Sequence, residues 1–215
     1  MSEITEERPA VDEEQLYHEA ALGSLWWGSR VAIAMTITLF GGIIFAYFYL
    51  RSLNSHGLWD PHGQTASTLM GSMILALVLL SAVLANYGGH RLRKGLTIDW
   101  QVASVVALGM GVMAAGFQVW ELTRLNFYPG AFGYAGVYVA FAPVYSFVLL
   151  GSMYWLETLI ARSLRSAAAL AADGGIGVSR QPRAENFRAN LEGFEYYWNA
   201  MALMSILFFV LFYVI

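Results

Sequence analysis

Charged side chains set in long apolar stretches are the residues best placed to do chemistry in this sequence, because hydrocarbon tolerates a charge only where a partner or a function compensates its desolvation. They are few. Glu121 stands near the end of the third such stretch and Glu157 near the end of the fourth, while Arg30 opens the first and Glu195 opens the fifth. Glu121 admits two readings: an interfacial carboxylate that helps end its helix and pairs with Arg124 at i+3, or a buried contact to a partner subunit or a lipid headgroup. Glu157 is expected to pair with Arg162 or Arg165. Neither acid is positioned to form a central relay.

Histidine and cysteine narrow the chemistry further. Haem or copper held inside a helical bundle needs several imidazoles from facing helices. The four histidines, His18, His56, His62 and His90, all stand at or beyond the ends of the apolar stretches. His56 and His62 with Asp60 form a loose His-x5-His loop, which is read as solvated rather than metal-binding. With no Cys there are no disulfides, thiolate nucleophiles or iron–sulfur ligands, and no nucleophile constellation or phosphate loop stands out. The expectation is therefore no catalytic residue, cofactor site or metal site in this chain.

The elements that position these residues follow from composition. Of 215 residues 58% are hydrophobic and 13% charged, against about 45–50% and about 25% for a water-soluble domain. Too little charge is present to clothe a water-facing surface. Five stretches reach the roughly 20 apolar residues needed to cross hydrocarbon: near Trp27–Tyr49, Thr68–Gly88, Trp100–Leu122, Phe132–Ile160 and Tyr196–Ile215. The predicted fold is all-α, a polytopic bundle of five transmembrane helices over 26–215, preceded by an acidic tail over 1–25 that is partly helical near Gln15–Leu22. The tail carries Glu3, Glu6, Glu7, Asp12, Glu13, Glu14 and Glu19 and does not read as a cleaved signal. A net charge of -3 argues against nucleic acid as a partner.

Five spans put the termini on opposite faces, and basic residues decide which is inside. Arg8, Arg30, Arg91, Arg93, Lys94, Arg162, Arg165, Arg180, Arg183 and Arg188 fall on one face, Arg51 and Arg124 on the other. The N-terminus is thus expected in the cytoplasm and the C-terminus outside. The one long linker, about 163–193, reads as an Ala-rich extension of the fourth helix that stops at Gly174-Gly175, followed by a basic loop near anionic headgroups. Pro143 is expected to kink the fourth span. Gly41, Gly42, Gly109, Gly111, Gly116, Gly133, Gly136 and Gly151 are candidates for close helix approach, Gly111 and Ala115 having GxxxG-like spacing.

The order of landmarks resembles subunit III of haem–copper terminal oxidases, the cytochrome c oxidase subunit III family, in a divergent five-span bacterial form. The resemblance rests on Phe45-Ala46-Tyr47-Phe48-Tyr49-Leu50-Arg51, on Leu58-Trp59-Asp60-Pro61, on Gln118-Val119-Trp120-Glu121, on Tyr134 through Ser152, and on Gly193-Phe194-Glu195 with Tyr196-Tyr197-Trp198. It departs from the family at Thr36, where the family carries Glu, at Phe141–Phe147, where two histidines are lost, and at Asn199-Ala200. The resemblance implies a non-catalytic accessory subunit of the respiratory chain in the bacterial inner membrane, with haem and copper in partner subunits I and II, structural phospholipid, and a respiratory supercomplex as a wider assembly. By it, Arg51, Trp59, Gln118, Glu121, Arg162, Arg165, Trp198 and Asn199 contact lipid or other subunits. A subunit III-like partner of a nitric oxide reductase and a small transporter or channel subunit are the alternatives. The latter would need a polar path, for which only Thr36, Thr38, Ser72, Ser81, Ser104, Ser146 and Ser205 stand mid-span.

Overall fold

The computed structural model describes residues 13–53, 57, 59–60, 64–167 and 174–215. Among them the only regular elements are five long helices: α1 Glu13–Ser52, α2 Thr68–Arg93, α3 Thr97–Thr123, α4 Gly133–Ala167 and α5 Pro182–Phe209, the last running on through a short π-helical segment, Val210–Val214. All five are long and apolar enough to cross a membrane, as expected for a multi-pass membrane protein.

The ends of the helices follow from local chemistry. Ser67 caps α2, its hydroxyl accepting from the Met70 N–H. At the other end Gly95 takes φ +82 and its N–H returns to the Leu92 carbonyl, so α2 turns into α3 within three residues. Pro182 opens α5 at a position where a missing N–H loses nothing.

Hydropathy locates where lipid ends better than where helices end. α1 starts at Glu13 and runs unbroken into the first span. α5 starts at Pro182, well before Tyr196, and α4 ends at Ala167, so most of the expected loop over 163–193 is helix. Arg183, Glu185, Arg188 and Glu192 are charged because they stand outside the apolar window, which does not prevent the backbone from coiling. α4 is a single helix through Pro143. The Ala-rich run over 168–172 lies outside the described residues, as do His56, Leu58, Pro61 and His62.

In space the helices form a closed ring that does not follow chain order: α1 neighbours α5, α5 neighbours α2, α2 neighbours α3, α3 neighbours α4, and α4 returns to α1, with α4 and α5 also touching. The ring closes on aromatic packing, Phe141 stacked on Phe212 at 4.3 Å and Phe40 tilted on Phe208 at 4.7 Å between ring centroids. α3 meets α4 where Gly111 leaves room for the Met153 thioether and Ala115 is buried, so the GxxxG-like pair is an internal contact. Gly41, Gly42, Gly109, Gly116, Gly136 and Gly151 face open space instead. One end of the bundle, which holds Trp59, Glu121 and Tyr213, is termed the Trp59 end; the other is the Trp100 end.

Candidate functional site

At the Trp59 end a polar knot ties α2, α3, α4 and the π segment together. Glu121, on the last turn of α3, is 4% exposed. Its Oε1 accepts the Ser67 N–H at 2.9 Å, the first donor of α2, and its Oε2 accepts from the Tyr138 hydroxyl at 2.7 Å and the Tyr213 hydroxyl at 2.7 Å. Gln118, one turn earlier on the same face of α3, donates from Nε2 to the Tyr138 oxygen at 3.1 Å. A carboxylate set against the start of a helix and two phenols is well compensated without a cation. Arg124 is turned away, its guanidinium over the Trp120 ring. The i+3 pair with Arg124 does not form, and the buried partners of Glu121 are groups of this same chain.

The knot continues through aromatic rings into the loop after α1. Tyr134 stacks on Tyr138 at 5.7 Å, donates to the Phe212 carbonyl at 2.8 Å and accepts the Ala66 N–H at 3.1 Å. Trp59 is buried, edge-on to Tyr47 at 4.9 Å and to Tyr134 at 6.0 Å, and its carbonyl accepts the Tyr134 N–H at 3.0 Å. Gly133 must be small here, since a Cβ would meet the Trp59 ring at 2.8 Å. Arg51 donates to the Tyr47 hydroxyl at 3.2 Å, so it reaches the edge of the same cluster. Beside Glu121 a cavity of about 260 Å³ is lined by Thr65, Ser67, Trp120, Glu121, Arg124 and Asn126.

The Trp100 end carries a second set. Glu195, 7% exposed on α5, pairs through Oε2 with Arg93 of α2 at 3.1 Å. Its Oε1 accepts no hydrogen bond and fills the space that a Cβ on Gly89 would take, which brings α2 and α5 together. One turn deeper, the buried Trp198 donates from Nε1 to the Ser81 hydroxyl at 3.2 Å, and Ser81 donates to the Ala107 carbonyl at 2.8 Å. Asn199, beside it, pairs with Asn86. Arg91 is paired with Asp99 across the α2–α3 turn. Arg188 clamps the segment before α5, donating to the carbonyls of Ile176 at 3.1 Å and Ser179 at 2.7 Å.

Arg162 lies with Arg183, Ser166, Asn186 and Asn190 around a cavity of about 430 Å³ between α1, α4 and α5. Arg165 is exposed and does not line it. Glu157 is exposed, and among the described residues it pairs with neither Arg162 nor Arg165. No cluster of three metal-ligating side chains occurs among the described residues.

The sequence-named residues thus divide into two separate groups. Trp59, Gln118 and Glu121 meet in one knot with Arg51 at its edge, while Trp198, Asn199 and Arg162 belong to the Trp100 end. Sequence reasoning gave no site role to Tyr138, Tyr213, Gly89, Arg93 or Asn86. A tyrosine at helical spacing from another tyrosine, as Tyr134 is from Tyr138, was one available signal. For Arg93 and Gly89 the signal was their place four residues apart on one helix face. Scanned against protein-family models the sequence matches none, and no curated protein matches it.

Proposed function

We propose that this chain is a non-catalytic, subunit III-like component of a respiratory haem–copper terminal oxidase. In this reading it sits in the bacterial inner membrane with its N-terminus cytoplasmic, packs against catalytic subunit I beside subunit II, and holds phospholipid. Haem and copper belong to the partner subunits.

The observation that carries the reading is convergence. The residues on which the family resemblance rests are scattered along the sequence, yet Tyr47, Trp59, Gln118, Glu121 and Tyr134 form one contiguous network of ring contacts and hydrogen bonds. Its polar groups are spent on each other, joining helices rather than lining a path through them. That suits a scaffold whose chemistry lies in its neighbours. For phospholipid, the support is the cavity where Arg162 and Arg183 converge from α4 and α5 with Asn186 and Asn190, a set of donors suited to a phosphate.

The test is purification of the tagged chain from its native membranes in mild detergent. Expected are reduced-minus-oxidised haem bands and oxygen uptake in the purified complex, and faster loss of turnover in a complex made without this chain. A chain that purifies free of haem, with oxidase turnover equally durable in its absence, overturns the reading.

A further inference from the structure

On the outer surface of the α2–α5 seam, Asn86 and Asn199 exchange amide hydrogen bonds, Nδ2 to Oδ1, at 2.7 Å and 3.0 Å. Asn86 uses its second N–H on the Ala82 carbonyl at 2.7 Å. Asn199 is exposed and retains one N–H and an oxygen lone pair. Both residues stand seven positions inside a charged level formed by Arg93 and Glu192, about 10 Å along the helix axis. Their exposed neighbours are Val83 and Leu203 on the deeper side and His90 and Tyr196 on the side toward the charged level.

The charged level also faces outward. Arg93 is held by Glu195 at 3.1 Å, while Glu192 is 3.9 Å away with its side chain 63% exposed. Opposite charges therefore lie side by side on the seam, one on each helix, with the amides two turns deeper.

We infer that the α2–α5 seam is an interface with a second copy of this chain. Two copies in one membrane share an orientation, so their twofold axis runs along the membrane normal. An axis beside the seam sets α2 of one copy against α5 of the other. At the charged level it faces Arg93 with Glu192 of the second copy. Two turns deeper, Asn86 and Asn199 face the same pair, and each Asn199 supplies both a donor and an acceptor. The seam is self-complementary at both levels. This inference does not rest on the oxidase reading.

The absence of Cys makes the test clean. Leu203→Cys lies one turn beyond Asn199 on the same face and is 70% exposed; Val112→Cys, 45% exposed on the outer face of α3, is the control. In the full chain in bilayers, a bifunctional thiol cross-linker long enough to reach across the axis is expected to give a cross-linked dimer with L203C and little with V112C. Adding Asn199→Leu should lower the dimer yield about three- to tenfold, the range that an interhelical hydrogen bond in lipid provides. Glu192→Lys, which leaves the amides intact, should lower it in the same direction by opposing like charges. Circular dichroism establishes that each variant stays helical, and if Asn199→Leu unfolds, the exposed Glu192→Lys carries the test. Equal yields from L203C and V112C, cross-linking of L203C only to another protein, or a yield insensitive to both further substitutions overturns the inference.

Discussion

Replacing Glu121 tests the polar knot most directly. Truncation to Ala removes the acceptor of three donors, the Ser67 N–H and the Tyr138 and Tyr213 hydroxyls. The two phenol oxygens are 2.7 Å apart and can bond to each other, which satisfies one of them. Two donors then lose their acceptor, a phenol in the knot, worth about 1–3 kcal/mol, and the N–H of the exposed Ser67, worth about 0.5–1.5 kcal/mol, so Glu121→Ala should destabilise the bundle by about 1.5–4.5 kcal/mol. Glu121→Gln keeps the volume, directs its carbonyl oxygen to Ser67 and offers its NH2 to phenol oxygens that can accept. Its loss should be about 1 kcal/mol. Unfolding by SDS in bicelles, followed through the emission of the tryptophans, measures both. A Glu121→Ala variant within about 1 kcal/mol of the parent, or a Gln variant as damaged as the Ala variant, would refute the argument that unsatisfied donors, rather than charge, set the loss.

Other positions give sharper local tests. Gly89→Ala sets a methyl where the Glu195 carboxylate lies and should cost about 1–3 kcal/mol, whereas Gly109→Ala, facing open space, should be neutral or slightly stabilising; the same SDS titration compares them. Trp198→Phe keeps an aromatic ring but loses the bond to Ser81 and leaves a cavity at a buried site, with an expected loss of about 1.5–3 kcal/mol; a double-mutant cycle with Ser81→Ala should show that the two changes are not additive. Gly177→Ala drives a methyl into the Leu92 carbonyl; hydrogen exchange should speed up over 174–181 and leave the cores of α2 to α4 unchanged.

The helices were legible because apolar length is a property of consecutive residues. Their extensions at the Trp100 end were not, because Arg183 or Glu192 on a helix beyond its apolar window resembles the same residue in a loop. At the candidate site the individual acids and tryptophans stood out by type, but their partners did not. Glu121 and Tyr213 are 92 positions apart and Trp198 and Ser81 are 117 apart, separations that no spacing rule connects. The choice between Arg124 and the phenols was decided by the ring of helices, which points Glu121 inward and leaves Arg124 outside.

That ring also constrains how the chain is made. α1 borders α4 and α5, which a ribosome delivers after α2 and α3. Until they emerge it must persist in the bilayer without neighbours. Its polar groups are arranged for this: Ser24, Ser29, Thr36, Thr38 and Ser52 each donate to a carbonyl of α1 itself, and Arg30 bonds to the Trp26 carbonyl beneath its own cation–π contact. Biogenesis can therefore deposit α1 early as a self-sufficient span and seal the bundle only when the C-terminal helices arrive.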